Sequence, residues 1–330
     1  MRNLHFGKAI NVALAEEMEK DSSVYIVGQD VGYGGVYGIT KGLRKKFGEE
    51  RVLDAPLSEN LILGHAAGSA LLGRRPVVEI QFSDFLSVGF PMITQLIASY
   101  RWRSGTGLPI VIRAPYGGGK NGGPFHSQCP ESWFLNVPGL KIVIPSTPAD
   151  AYGLLKTAIA DPDPVLYLEH KKLYWEKKGE LPDGLAAFLG ETAISFGKAA
   201  IRRYGHDCLI VSYGLTALMA EEAAKVLWEK NEISCAVLDL RTLMPLDEQE
   251  MIRFANSCGK VLIVHEAPKV WGPGAWLAQI VREANHHVRV GILGSQYTLS
   301  PFSPPLEEFY LPNSEKIVQA VKDLLTWRKK

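Results

Sequence analysis

Short apolar, β-branched runs separated by longer stretches of helical period are the feature that most restricts the fold of this chain. In the first half the runs cover 24–27, 77–80, 109–113, 141–145 and 165–168, with helical patterns over 7–20, 60–73, 88–103 and 148–160 between them. The runs are mainly apolar, without alternation, as strands buried on both faces of a parallel sheet are. The order strand, helix, strand therefore predicts an α/β fold with helices packed on both faces of a parallel sheet. Ser146-Thr147-Pro148-Ala149-Asp150 sets a capping residue before a proline in the first turn of its helix.

A second series of the same kind follows, with strands over 208–211, 235–239, 261–264 and 288–292 and helices over 215–230, 247–256, 274–285 and 313–327. Between the two lies a charged, Pro- and Gly-containing stretch without sustained period. It predicts a linker over about 171–190 that joins a domain of residues 1–185 to one of residues 191–330. A length of 330 residues suits two domains at about 150 residues each.

Charge removes whole classes of function. Lys and Arg number 36 against 35 Asp and Glu, a net charge of +1, so no charge excess is available to grip nucleic acid or an anionic membrane. No apolar stretch reaches the roughly 18 residues of a bilayer span. The start, Met1-Arg2-Asn3-Leu4-His5-Phe6-Gly7-Lys8, lacks a signal-peptide core. The four cysteines, Cys129, Cys208, Cys235 and Cys258, form no CxxC pair and indicate neither zinc nor a disulfide framework. The expectation is a reduced, cytoplasmic protein.

Chemistry concentrates in three segments. Asp54-Ala55-Pro56-Leu57-Ser58-Glu59 carries a carboxylate to the start of a helix whose small residues, Gly64, Ala66, Ala67, Gly68 and Ala70, suit close packing. Glu59 reads equally as an ordinary helix N-terminal acid, favoured there by the macrodipole. Glu79-Ile80-Gln81-Phe82-Ser83-Asp84-Phe85 puts polar residues at the end of a buried strand, where open α/β sheets bind ligands. Phe82 and Phe85 are also ordinary core residues by type. The third segment runs from Arg113 to Gln128, with five glycines within Gly117–Gly123 and His126 near its end. It can form neither helix nor strand, yet it matches neither GxxxxGK[ST] nor GxGxxG, so nucleotide binding is not expected. An imidazole at His126 can move protons. His265-Glu266 lacks the second histidine of HExxH, and no GxSxG is present, which removes zinc-protease and serine-hydrolase chemistry.

Taken in order, these segments resemble the β subunit of the E1 component of 2-oxo acid dehydrogenase complexes. That group serves pyruvate, branched-chain 2-oxo acids and acetoin within the transketolase-like, thiamine diphosphate-dependent family. The resemblance is carried by Val27-Gly28-Gln29-Asp30-Val31-Gly32, Pro56-Leu57-Ser58-Glu59, Arg75-Pro76, Glu79 to Phe85, Arg103-Ser104-Gly105, Arg113-Ala114-Pro115-Tyr116-Gly117, His126-Ser127-Gln128, Pro138-Gly139-Leu140-Lys141, Asp239 to Asp247 and His265-Glu266-Ala267-Pro268. It implies a pyrimidine-binding α/β domain followed by a transketolase C-terminal domain. It implies that Glu59 hydrogen-bonds N1′ of the cofactor's aminopyrimidine, sharing a proton there to favour the imino tautomer that deprotonates the thiazolium ring. It implies further that Phe85 stacks on the pyrimidine, and that His126 handles charge during decarboxylation and acyl transfer to lipoyl groups.

Some relatives also hold a structural potassium ion, at positions matching Ile110, Ala158, Ile159, Asp161 and Asp163, mostly through backbone carbonyls. The GDG motif that binds diphosphate and Mg²⁺ in such enzymes is absent. The resemblance then implies a divided site, with the metal end held by an α subunit in an α2β2 heterotetramer, and docking of the C-terminal domain on a lipoylated E2 acyltransferase. Three places depart from the family pattern: Asn60-Leu61 after Glu59, Ser295 to Pro301, and Val270-Trp271-Gly272-Pro273-Gly274. An acetoin-cleaving β subunit shares every motif. A catalytically silent subunit kept for E2 docking is the alternative from another class.

Overall fold

A computed structural model describes residues 2–181 and 193–326. The chain divides into two compact units, one of Met1–Tyr116 with Trp133–Phe196, the other of Gly117–Ser132 with Gly197–Lys330.

In the first unit six parallel strands lie in the order Lys141–Val143, Val165–His170, Val111–Tyr116, Arg75–Glu79, Val24–Gly28, Val52–Asp54. Every residue of Val24–Gly28, Val111–Tyr116 and Val165–His170 is buried, which is why these runs are mainly apolar and do not alternate. Helices Phe6–Lys20 and Pro148–Ala160 pack on each other beside the sheet. The second begins with a reciprocal cap: Asp150 N–H donates to Thr147 Oγ1 at 3.2 Å and Thr147 N–H to Asp150 Oδ2 at 3.1 Å.

Two expectations change here. The stretch from Lys171 is ordered through Leu181: helix Leu173–Glu176 is followed by strand Lys178–Leu181, which pairs antiparallel with Arg2–His5. Pairing with the chain's distant start supplies the hydrogen bonds that local period gave no sign of; the rest of the expected linker, 182–190, lies outside the described residues. The single helix expected over 88–103 is a π-helical turn, Met92–Ile97, and a short α-helix, Tyr100–Ser104. Its Ala98 N–H donates to Ile93 O, five residues back, at 2.9 Å. Such widened turns need no sequence signature beyond apolar period.

In the second unit the order is Arg289–Ser295, Lys260–Pro268, Cys208–Ser212, Cys235–Asp239, Ala200–Arg203, with only the last strand antiparallel. Helices Gly214–Asn231 and Ser314–Thr326 close one core of Ile210, Ala220, Ala224, Val237, Leu262 and Val321. Alanines on that helix face let it approach the sheet closely. The glycine-rich loop, expected within the first domain, groups with this unit. None of the described helices is long and apolar enough to cross a membrane.

Replacing Thr147 by Ala removes one half of the reciprocal cap. The expected loss is about 1 kcal/mol, read as a lowered urea midpoint at unchanged slope.

Candidate active site

Glu59 is the first residue of helix Glu59–Leu71, reached from strand Val52–Asp54 through an extended Ser58. It is 8% exposed, and the unpaired N–H groups of a helix's first turn favour a carboxylate there. Leu61, the departure from the family pattern, is 54% exposed, away from the core of its unit. Of the two helix glycines, Gly64 faces Met92, whose Cε would lie 3.1 Å from an added Cβ, while Gly68 has open space. The tight approach is made instead at Gly89, where a Cβ would meet Leu63 Cδ1 at 2.2 Å and Glu59 Cβ at 3.9 Å. Gly89 thus lays the segment that carries Phe85 against the start of the Glu59 helix.

Phe85 is half-buried in the 3₁₀ turn Ser83–Ser87 and meets Phe82 edge-on, centroids 6.0 Å apart at 90°. Phe82 continues to Tyr37 at 5.9 Å, and Tyr37 to Tyr174 at 5.2 Å. The first two contacts are edge-to-face and the third is tilted at 39°, and such contacts hold rings at preferred angles. Tyr174 OH donates to Glu169 Oε2 at 2.7 Å, which ties the aromatic row to a buried charge network.

The network is Arg113, 1% exposed, between two carboxylates. Its Nε and Nη2 donate to Glu169 Oε1 and Oε2 at 2.6 and 2.8 Å, and its Nη1 to Glu79 Oε2 at 2.8 Å. Burial works against the Arg113 charge, but Glu169 and Glu79 beside it more than offset that and hold it protonated. Burial raises the Glu79 carboxyl, and Arg113 counteracts the rise. A triad of this kind adds little net stability but is costly to break. Glu79 Oε1 also lies where a Cβ on Gly35 would come within 2.1 Å, so the Gly34-Gly35 turn rests directly on the triad. In the sequence Arg113 stands out only as a charge at the end of an apolar run. In the structure it is the third residue of strand Val111–Tyr116 and buried.

His126 belongs to the second unit, half-buried at the end of the glycine-rich loop. Gly117 N–H donates to Gln128 O at 3.1 Å and closes the neck of that loop. Beyond it, Glu131 is fully buried and accepts from Tyr213 OH at 2.7 Å. Burial pushes its carboxyl up to about 7, the Tyr213 bond partly opposing and nearby Glu266 adding to the rise. His265 is buried too, with Nδ1 against Ala267 O at 2.9 Å, and burial pushes its imidazole down to about 4. It is neutral through the physiological range. Gly272, Gly274 and Gly294 surround the ring so tightly that a Cβ on any of them would come within 2.8 Å of it.

At the five positions matched to potassium, the oxygens already have partners. Ile110 O accepts from Val165 N–H at 2.9 Å and Ala158 O from Asp161 N–H at 3.3 Å. Arg75 Nη1 donates to Ile159 O at 2.7 Å and to Asp161 O at 3.1 Å. Lys141 Nζ pairs with the Asp161 carboxylate at 2.6 Å, and Arg101 pairs with Asp163.

Residues 2–176 match the family model described as the transketolase pyrimidine binding domain, and residues 197–317 the transketolase C-terminal domain. The 2-oxoisovalerate dehydrogenase subunit beta of Bacillus subtilis is 43% identical over 326 residues, covering 96% of this chain and 97% of that protein. The acetoin:2,6-dichlorophenolindophenol oxidoreductase subunit beta of Cupriavidus necator is 40% identical, covering 97% of each chain. A pyruvate dehydrogenase E1 component subunit beta of Staphylococcus aureus is 39% identical, covering 98% and 99%. A solved split gene transketolase, an inactive beta4 tetramer, superposes with a TM-score of 0.78 at 23% identity, covering 98% of this chain and 99% of that one. That last likeness speaks for the fold alone.

The raised Glu131 carboxyl has a testable sign. Its value in the folded chain lies above the ordinary 4.5, so its contribution is full below pH 4.5 and lost as pH rises through about 7. Glu131→Gln keeps an acceptor for Tyr213 and removes the charge. It should flatten the pH dependence of stability across that window and stabilise the protein at pH 8 by up to roughly 3 kcal/mol, as read by urea unfolding at pH 5 and pH 8.

Proposed function

The chain belongs to the transketolase-like family of E1 β subunits of 2-oxo acid and acetoin dehydrogenase complexes, and from that premise we propose that it forms the pyrimidine-binding half of a divided thiamine diphosphate site. Its work would be done with an α subunit in an α2β2 assembly, decarboxylating a 2-oxo acid oxidatively and passing the acyl group to lipoyl-E2. Relatives named for 2-oxoisovalerate, pyruvate and acetoin lie between 39 and 43% identity. The activity class is therefore shared while the substrate is left to assay. The observation that carries the reading is Glu59, a carboxylate 8% exposed at a helix start that a close glycine contact sets beside the Phe85 segment.

Bound thiamine diphosphate supplies a carbon nucleophile that takes up the 2-oxo acid and accepts the electrons released with CO₂. The residues of this chain fit the organic end of that molecule. Glu59 would hold a proton at N1′ of the aminopyrimidine, which a carboxylate can exchange and an amide cannot. Phe85, fixed by its edge contact with Phe82, would present an apolar ring to the pyrimidine and keep water from it. His126 would serve the later charge changes, its loop carried by the second unit. Mg²⁺ and the diphosphate would fall to the α subunit, since no GDG is present here.

Potassium does not fit. Arg75, Lys141 and Arg101 bring three positive charges to a cluster whose carboxylates are Asp161 and Asp163. The Arg75 guanidinium already serves two of the carbonyls that a cation would need. A cytoplasmic location is supported by the four cysteines, which are buried and present as thiols.

Mixing this chain with its α partner, thiamine diphosphate and Mg²⁺ tests the reading. Glu59→Gln should lower 2-oxo acid decarboxylation by about 100-fold or more while leaving assembly intact. Equal rates for the variant and the unmodified mixture would remove the proton-holding role, and the docking-subunit alternative would then stand. Turnover by this chain alone would remove the divided site.

A further inference from the structure

The loop that carries His126 is built from conformations that leave its amides without a ladder. Gly117, Gly119, Asn121 and Gly123 all have positive φ, and at Asn121 (φ 56°) that backbone bears a side chain. Two of these amides find carboxylates far along the chain. Gly118 N–H donates to Glu266 Oε1 at 3.1 Å, and Asn121 N–H donates to Glu307 Oε2 at 3.0 Å. Both acids are buried, Glu266 at 6% and Glu307 at 4% exposure. Bonds from an amide to an ionised acceptor are stronger than neutral ones and hold their geometry.

Glu307 is the more telling of the pair. It sits in the helix Pro304–Tyr310, and its other oxygen, Oε1, has no hydrogen-bond partner among the described residues. A buried carboxylate half satisfied in this way costs stability. Its Oε2 is committed to the loop. Five residues earlier the Phe302 ring lies against Gly123, where an added Cβ would come within 2.2 Å. The segment Phe302 to Glu307 therefore grips the loop at two points, three and five residues before His126. Gly122 packs just as closely on the histidine, where its Cβ would lie 2.9 Å from His126 Cβ.

We propose that Glu307, assisted by Glu266, is a positioning residue for His126, fixing the loop amides at 118 and 121 and through them the direction of the imidazole. The functional half of this claim rests on the role given to His126 above. The structural half does not, and the two are read separately.

The test uses the complex assembled with the α subunit and compares Glu307→Ala, Glu307→Gln, His126→Ala and the double variant His126→Ala with Glu307→Ala. Hydrogen exchange of a peptide covering 118–123 reads the grip. Decarboxylation with an artificial electron acceptor, and acyl transfer to a free lipoyl domain, read the chemistry. Glu307→Ala should speed exchange in that peptide tenfold or more. It should also lower kcat at least tenfold in whichever half-reaction His126→Ala impairs, with KM for the 2-oxo acid within twofold. Glu307→Gln keeps an acceptor oxygen and should recover to within threefold. The double variant should be no slower than His126→Ala alone. Unchanged exchange in Glu307→Ala, or losses that multiply in the double variant, would overturn the proposal. Full activity of His126→Ala would remove the role of the histidine and with it the functional half, while the exchange result still decides the grip. Should Glu307→Ala fail to assemble, Glu307→Asp takes its place: one methylene short of the Asn121 amide, it must show the loss that Glu307→Gln escapes.

Discussion

The Arg113 guanidinium, clasped by Glu169 on one side and Glu79 on the other, is the constraint on which the first unit's functional edge depends. Three adjacent parallel strands, Val165–His170, Val111–Tyr116 and Arg75–Glu79, each contribute one member, so the triad fixes their ends relative to one another. From it two supports extend. Tyr174 leads through Tyr37 and Phe82 to Phe85, and Glu79 backs the glycine turn at Gly35. A hydrophobic substitute could fill the same volume, but it could not orient three strand ends and an aromatic row together. That is the use of a buried charge cluster whose net contribution to stability is small.

The second unit applies the same device to a loop. Backbone donors that no sheet or helix can accommodate are met by acids from remote positions, Glu266 on a strand and Glu307 on a short helix. The glycines give the loop freedom to take its path and the acids remove that freedom again. A glycine-rich segment is therefore not without anchors here, since its Gly118 and Asn121 amides each meet a buried carboxylate.

The alternation of apolar runs and helical period in the sequence revealed both α/β units, and the helix Pro148–Ala160 has the bounds read from its cap and proline. Local pattern sufficed because buried parallel strands and amphipathic helices write their environment into nearest-neighbour order. The pairing of Arg2–His5 with Lys178–Leu181 was not legible, since neither partner carries enough apolar residues to mark a strand. The roles proposed for Glu59, Phe85 and His126 come from motif register. Arg113, Glu131 and Glu307 were found only in three dimensions, because a charged residue within a buried element gains its meaning from partners between 34 and 186 residues away. Potassium was suggested by matched positions, and the competing cation, Arg75, lies more than 80 residues from the carbonyls it serves.

The cradle of His265 carries a consequence for how such chains can diverge. Three glycines, two at the start of the helix Pro273–Ala284 and one on the strand Arg289–Ser295, press on one imidazole, and none has room for a methyl group while that ring is present. Two of the three are doubly barred, because a Cβ on Gly272 would also meet Pro268 O at 2.2 Å and one on Gly294 would meet Ala267 O at 2.8 Å. Those two are held by backbone whatever stands at 265, while Gly274, enclosed by the His265 and Ile292 side chains, can change only together with them.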